Sequence, residues 1–234
     1  MLRYVEFAID FETSLGRDAR ELRTVYENMR AFIQQKQTNQ VDAQEIRNVK
    51  GFIRKSEAIA GARYAGLSDD HIHFQALPFY ESGKTAKNSV TDKDIELTMA
   101  LLQQVQPHQL FLAGDFADPN GTDITCFHIV TEALRRLRPT HAWVEGCWVW
   151  MYRGAWLEPY EIEMAVPLSP REVTRKRNAI FKHQSQKDTP VFPGDDAREF
   201  WVRAEHRNRE IARQYDSLGL ADYEAMKAFV RWHF

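Results

Sequence analysis

The organisation of the chain is clearest in residues 109–123, which read Gln109-Leu110-Phe111-Leu112-Ala113-Gly114-Asp115-Phe116-Ala117-Asp118-Pro119-Asn120-Gly121-Thr122-Asp123. The short apolar run 109–113 is typical of a buried parallel strand. A polar, glycine-containing loop follows over 114–121, and the periodic stretch 122–137 predicts a helix. A strand, a loop and a helix in this order are the repeating unit of an α/β domain.

The same alternation continues on both sides of this stretch. The patterns predict helices over the first 66 residues, the third of which begins with Asp42 as its N-cap and ends at Gly66. Further strands are predicted at 71–77, 147–152 and 161–166, and further helices at 92–105, 169–182, 197–215 and 223–231. We therefore expect a single α/β domain over 1–234, with a mostly parallel sheet covered by helices.

The composition excludes several classes of protein. Lys and Arg number 31 and Asp and Glu 33, and the resulting charge of −2 argues against a nucleic-acid partner or an anionic membrane. The longest apolar runs, such as 148–152, are far shorter than the roughly 18 residues of a membrane helix. Cys126 and Cys147 are too few for a disulfide scaffold. We expect a cytoplasmic protein that binds neither nucleic acid nor membrane.

Candidate functional residues follow the predicted strands, because ligands of open parallel sheets bind at the carboxyl ends of the strands. The stretch 114–123 after strand 109–113 carries three carboxylates and an amide, which could hold a metal, position water or bind sugar hydroxyls, or could simply form turns. Arg153 follows the next strand and could clamp a carboxylate or phosphate, or form a surface ion pair. His183 could cap a helix or act as a proton donor. The loop and helix residues in question are Asp115, Asp118, Asn120 and Asp123.

A series of motifs runs along nearly the whole chain: Ile53-Arg54-Lys55-Ser56-Glu57-Ala58, residues 77–83, residues 112–123, residues 149–156, residues 162–167, His183-Gln184-Ser185-Gln186 and residues 198–209. In this order they resemble LmbE/PIG-L-like deacetylase domains, in the branch that is fused behind a glucosamine-6-phosphate deaminase domain in some bacteria. The resemblance implies a three-layer Rossmann-like fold with a mostly parallel sheet.

The resemblance also implies a chemistry, the zinc-dependent removal of an N-acetyl group from a glucosamine-type sugar. The zinc would activate a water, and a carboxylate would take its proton. Matching this chain to the family's motifs assigns its residues to three roles: Asp115, Asp118, Asn120 and His183 to catalysis, Arg54, Glu57 and Arg153 to the sugar, and Asp123 to the metal.

The sequence departs from the family at the metal-binding positions. Family members take two ligands and the base from a His-Pro-Asp-Asp motif, which this sequence lacks, and the family's His-x-x-His is replaced by Asn120 and Asp123. Aspartate can bind zinc, but asparagine does not titrate near neutral pH. We expect that this chain alone does not bind the zinc and that the family's first strands would precede Met1.

Three interpretations remain open. The chain is a degenerate or truncated LmbE-like module, catalytically silent alone, that retains a structural role or binds an amino sugar or sugar phosphate. Alternatively, it is part of an active N-deacetylase that upstream sequence or a partner chain completes. In the third interpretation, Asp115, Asp118 and Asp123 hold a different, hard divalent metal.

The expected loss of the first strands has a physical consequence for association. A sheet without those strands exposes the backbone edge of what would otherwise be an interior strand. We therefore expect a homo-oligomer, or a partner domain, to cover that edge.

Overall fold

The computed structural model describes residues 2–37, 40–80, 87–114, 116, 121–152, 159–187 and 198–233, with residues 2–6 described by their backbone alone. The chain divides into two compact units. The first is drawn from residues 1–52 and the second from residues 53–81 and 86–234. The single domain that the sequence predicts stays a prediction, and each unit is described by itself.

The first unit is helical, as the sequence predicts. It contains α1 (Leu2–Ser14), α2 (Ala19–Gln35) and the beginning of α3 (Gln44–Ala65). Asp42 is not the N-cap of α3, because the helix begins two residues later. Its buried carboxylate instead accepts hydrogen bonds from the ammonium groups of Lys36 and Lys50, each at 2.7 Å. Burial would raise the pKa of Asp42, but the two lysines outweigh burial and lower that pKa.

The second unit is a mixed α/β structure that contains most of the regular elements of the chain. After the end of α3 come α4 (Asp92–Val105), β1 (Gln109–Ala113), α5 (Thr122–Leu137), β2 (Trp148–Tyr152), β3 (Met164–Leu168), α6 (Pro170–Ile180), α7 (Phe200–Ser217) and β4 (Ala225–Trp232). The predicted bounds of α4, β1 and α5 are confirmed.

The four described strands form one open sheet in the order β1-β2-β4-β3. Strands β1 and β2 are parallel, but β4 is antiparallel to both β2 and β3. Three of the four described strands, β1, β2 and β3, therefore run in the same direction as predicted, but only one of the three strand pairings is parallel. The antiparallel pairings arise from β4, which lies between β2 and β3. The three-layer Rossmann-like arrangement stays a prediction.

Helices α4, α5 and α7 pack on one face of this sheet. Ile95 of α4 and Leu134 of α5 form a cluster with Val149 of β2, and Leu110 and Trp232 pack against that cluster. On the same face of β4, Met226 and Ala228 pack against Ile211 and Ala212 of α7. Because successive residues of a strand point to opposite faces, the intervening residues of β2 and β4 point away from these helices.

Two predicted elements are wrong. The alternating stretch 71–77 is not a strand: Asp69–His71 forms a turn of 3-10 helix, and Ala76 has a φ of 48° that interrupts the extended backbone. The end of the chain, predicted as a short helix, forms β4. Pairing of 225–229 with β3, continued by pairing of 230–232 with β2, outweighs the local helix propensity of Ala225-Met226-Lys227-Ala228.

Strand β1 lies at an edge of the described sheet, with β2 as its neighbour. Its residue Phe111 is 47% exposed. The expectation that another chain or domain covers a sheet edge stays a prediction. No helix of the described residues is both long and apolar enough to cross a membrane.

Candidate functional site

The sequence motif at 53–58 and the motif at 183–186 meet in the second unit. Glu57, in the part of α3 that belongs to this unit, is buried, and its two carboxylate oxygens accept hydrogen bonds from the backbone N–H and the hydroxyl of Ser185, both at 2.7 Å. Both oxygens are thus engaged within the protein. Glu57 therefore positions the turn that carries His183, a role distinct from the sugar contact that the resemblance assigns to it.

The C-terminal end of α3 is held against α6 by further polar contacts. The guanidinium of Arg175 donates to the carbonyl oxygen of Ala65 at 2.9 Å, which satisfies one of the open carbonyls at the end of α3. The amide of Asn178 donates to the hydroxyl of Tyr64 at 3.1 Å. These contacts fix α6, and with it the turn at 183–186, relative to this part of α3.

His183 borders a cleft of about 370 Å³ that lies between α3, α6 and the start of α7. A Cβ atom on Gly61 would lie 3.1 Å from Nε2 of His183, so the imidazole packs directly against the backbone of α3. A glycine inside a helix is a weak signal of such a close approach, and sequence reasoning missed it. The other lining residues are Lys176, Ala179, Ile180, Gln186, Lys187 and Phe200.

A polar network joins α6 to α7 beneath this cleft. The ammonium group of Lys176 donates to the side-chain oxygen of Asn208, whose amide donates to the carbonyl oxygen of Met226 at 2.7 Å. Asn208 is buried, and its bond to Met226 ties the network to β4. The cleft is therefore built on connected secondary structure.

Arg54 and Asp123 lie outside the cleft lining. Arg54 is exposed on α3, one turn before Glu57. Asp123 lies in the first turn of α5, after Gly121, which has the left-handed φ of 63° that glycine accommodates. Desolvation raises the pKa of the Cys126 thiol above its ordinary value, and the negative charge of Asp123 raises that pKa further.

The remaining predicted residues, Asp115, Asp118, Asn120 and Arg153, lie outside the described residues. The strands that precede them are paired in register up to Ala113 and Tyr152, and the Gly114 N–H donates to the Tyr152 carbonyl oxygen at 2.6 Å. In the part of the chain that is described, no three His, Cys, Asp or Glu side chains come together in a group that could hold a metal. Zinc binding therefore stays untested for the loop at 114–121.

Comparisons with known proteins relate the chain to a curated bacterial protein. No protein-family model matches it. A curated protein of Bacteroides thetaiotaomicron, named "Putative glucosamine-6-phosphate deaminase-like protein", is 47% identical over 210 residues. This chain is a relative of that protein. The match covers 88% of the chain but 32% of the relative, so the chain spans about a third of the relative's length.

The relative's name agrees with the glucosamine-6-phosphate deaminase part of the resemblance. The motifs predict a link to glucosamine-6-phosphate deaminase-related proteins, and the relative's name confirms that link. The LmbE/PIG-L deacetylase assignment, its zinc and its sugar-binding residues remain predictions.

Two glycines of α3, Gly51 and Gly61, form a matched pair for substitution, because Gly61 packs against His183 and Gly51 has open space beside it. Gly51→Ala is expected to raise the free energy of unfolding by about 0.5–1 kcal/mol, because alanine favours a helix and nothing lies within 4 Å of the added Cβ. Gly61→Ala should lose this gain, because its Cβ would meet His183. Urea unfolding of both variants measures the difference, and equal stabilisation would contradict the described packing of His183.

Proposed function

We propose that this chain binds an amino sugar or a sugar phosphate as part of a glucosamine-6-phosphate deaminase-related protein. The observation that carries the proposal is the cleft beside His183, whose lining among the described residues also includes Lys176 and Lys187. An imidazole and ammonium groups around an open cleft suit a ligand with hydroxyls and an anionic group. The name of the relative supplies the class of ligand.

We further propose that this chain by itself is catalytically silent as an N-deacetylase. The basis is the sequence: Asn120 and Asp123 stand where the resembled family has histidines, and the His-Pro-Asp-Asp motif is absent. A catalytic zinc needs about three protein ligands and an open position for water. Zinc would polarise the acetyl carbonyl and activate water when bound, and this chain offers Asp123 as a ligand of that set.

Calorimetry with glucosamine 6-phosphate tests the binding proposal. We expect saturable binding that His183→Ala weakens about tenfold, because the variant removes a hydrogen-bonding group from the cleft. His206→Ala, which removes an exposed histidine of α7, is the matched control and should bind as the parent does. Absence of heat with glucosamine 6-phosphate, glucosamine and N-acetylglucosamine would contradict the proposal, as would equal effects of the two variants.

Acetate release from N-acetylglucosamine in the presence of zinc tests the second part. We expect no rate above that of the buffer with zinc. A zinc-dependent rate that Asp123→Ala abolishes would overturn the proposed silence, while leaving the binding proposal intact.

A second candidate is that the chain belongs to an active N-acetylglucosamine-type deacetylase or deaminase-related enzyme that further sequence or a partner chain completes. The observation that favours it is the length of the relative, about three times the matched region. A longer product of the same gene, or a mixture with the product of a neighbouring gene, would then release acetate or ammonia from the amino sugar. Activity that is lost on His183→Ala in that assembly would support this candidate.

A further inference from the structure

The face of the sheet opposite the packed helices is rich in aromatic and cationic side chains. Strand alternation and register put Phe111 of β1, Trp148 and Trp150 of β2, and Phe229 and Arg231 of β4 on this face. The ring contacts agree: Phe111 lies 5.3 Å from Phe229 and Trp148 lies 5.8 Å from Trp150, between centroids. Phe111 and Trp148 are 47% and 44% exposed, while Trp150 is 6% exposed.

Two hydrogen-bond donors on this face have no acceptor among the residues that the structure describes. Nε1 of Trp150 and Nε of Arg231 are buried, and neither has a hydrogen-bond partner in the part of the protein that is described. The two residues are direct partners in the pairing of β2 with β4, which brings Cβ atoms of opposite residues to about 5 Å. An unsatisfied buried donor is costly, so two of them on paired residues indicate a missing acceptor.

The surroundings hold the guanidinium of Arg231 in place but give its Nε–H no acceptor among the described residues. Its guanidinium carbon lies 3.8 Å from the centroid of the Trp148 ring, the stacked arrangement that an arginine adopts on an aromatic face. The carboxylate of Glu163 accepts the backbone N–H of Arg231 at 3.2 Å, and the structure shows no bond from that carboxylate to Nε. The guanidinium is therefore oriented and keeps a donor for a ligand.

We propose that Trp150 and Arg231 form a binding site for a small oxyanion, a phosphate or carboxylate group, on this face. The indole N–H and the guanidinium N–H would each donate to an oxygen of the group, and the exposed rings of Trp148 and Phe111 would lie beside the rest of the ligand. An oxyanion can accept from both donors, and the positive charge of Arg231 attracts it. A water molecule is neutral and lacks this attraction.

This site is separate from the region where the candidate catalytic residues follow the strands. Trp148 begins β2, and its N–H donates to the carbonyl oxygen of His108 at 2.9 Å, whereas Tyr152 lies at the other end of that strand. It also shares no residue with the His183 cleft. The proposal therefore does not depend on the proposed sugar-binding function.

A nitrogen–proton correlation spectrum of the ¹⁵N-labelled protein tests the site directly. Inorganic phosphate and sodium acetate are titrated separately, with sodium chloride at equal ionic strength as the reference. We expect the Trp150 indole and Arg231 Nε–H signals to shift saturably with at least one of the two anions and not with chloride. Trp150→Phe identifies the indole signal, and Arg231→Gln should weaken binding at least about tenfold.

Trp143 provides the matched control. Its Nε1 is also buried and has no hydrogen-bond partner among the described residues, but the ring packs against the cluster of α4 and α5 on the opposite face. The Trp143 signal should not move, and Trp143→Phe should bind as the parent does. If Arg231→Gln does not fold, Trp150→Phe is titrated through the Arg231 Nε–H signal.

The outcomes separate the possible ligands. A response to phosphate alone assigns a phosphate ester, a response to acetate alone assigns a carboxylate, and a response to both assigns an oxyanion of either kind. Shifts no larger than those in chloride, or equal binding by the parent and both site variants, would overturn the proposal and leave ordinary water as the acceptor.

Discussion

Asp94→Ala is expected to lower the free energy of unfolding by about 3 kcal/mol, the largest effect we predict for this chain. Asp94 is 0% exposed at the start of α4. Its carboxylate accepts hydrogen bonds at 2.8 Å from the backbone N–H of Phe79 and from the N–H and hydroxyl of Thr91. Removing the acceptor leaves buried donors unsatisfied, each of which costs about 1–3 kcal/mol.

The charge on Asp94 is part of this arrangement. Burial by itself would raise the pKa of Asp94, but the hydrogen bonds from Phe79 and Thr91 outweigh burial, and the pKa is lowered. The carboxylate is therefore ionised at neutral pH and is a strong acceptor for all three donors. The residue fixes both the beginning of α4 and the segment that precedes it at Phe79.

Denaturant unfolding of Asp94→Ala measures the effect, with Asp92→Ala as the matched control. Asp92 lies in the same helical turn, but its side chain is 75% exposed and pairs with Arg136 at 2.8 Å. Exposed ion pairs contribute about 0–1 kcal/mol, so this control should change stability little. Similar losses in the two variants would contradict the buried role of Asp94.

Glu205→Gln is expected to lower the free energy of unfolding by about 2 kcal/mol, the second largest effect. Glu205 of α7 is 5% exposed, and its carboxylate pairs with Arg177 of α6, through bonds that include one of 2.8 Å, and with Arg209 at 3.0 Å. The variant leaves two guanidinium groups without their shared counter-ion. The loss stays below that of a fully buried pair because both arginines are about a third exposed.

The stabilisation that Glu205 contributes depends on pH, and the lowered pKa of Glu205 sets the direction of this dependence. The hydrogen bond from Arg177 lowers the pKa of Glu205, burial opposes it, and Arg209 lowers it further. A carboxyl with a lowered pKa in the folded protein stabilises the fold above its ordinary value of about 4.5, and this stabilisation is lost as the pH falls through the folded value. The difference between parent and Glu205→Gln should therefore be full at pH 7 and shrink below about pH 4.5.

Unfolding curves of parent and variant between pH 3 and pH 7 measure this dependence. Glu210→Gln is the control on the same helix, since Glu210 is exposed and pairs with Arg213 at 3.0 Å. The control should lose little stability at any of these pH values. A stability difference for Glu205→Gln that does not change across this range would contradict the ionised role of its carboxylate.

Local sequence patterns were reliable where an element is defined by its own periodicity and caps. Helix α4 begins after Thr91 with two acidic residues in its first turn, and Pro107 follows its end, so its bounds could be read directly. Helix α6 likewise begins after Ser169, whose hydroxyl accepts the N–H of Glu172, with a proline at the first helical position. These signals are local and do not depend on what packs nearby.

The candidate site was only partly predictable, because its contacts join residues that are far apart in the chain. The sequence selected Glu57 and His183 through motifs, but their separation along the chain gave no sign that Glu57 would bind Ser185. Gly61 became informative only once the structure placed His183 beside it. Contacts between distant residues depend on how the helices pack, which no short pattern encodes.

The sequence by itself determined the helical beginning of the chain, the β1–loop–α5 unit and the relation to glucosamine-6-phosphate deaminase-like proteins. Only the tertiary structure decided that residues 225–232 form a strand between β2 and β3, and that Glu57 supports the turn of His183. The physical reason is the range of the interactions. Caps and periodicity act within a few residues, whereas strand pairing and the partners of buried polar groups are chosen among residues that are far apart in the chain.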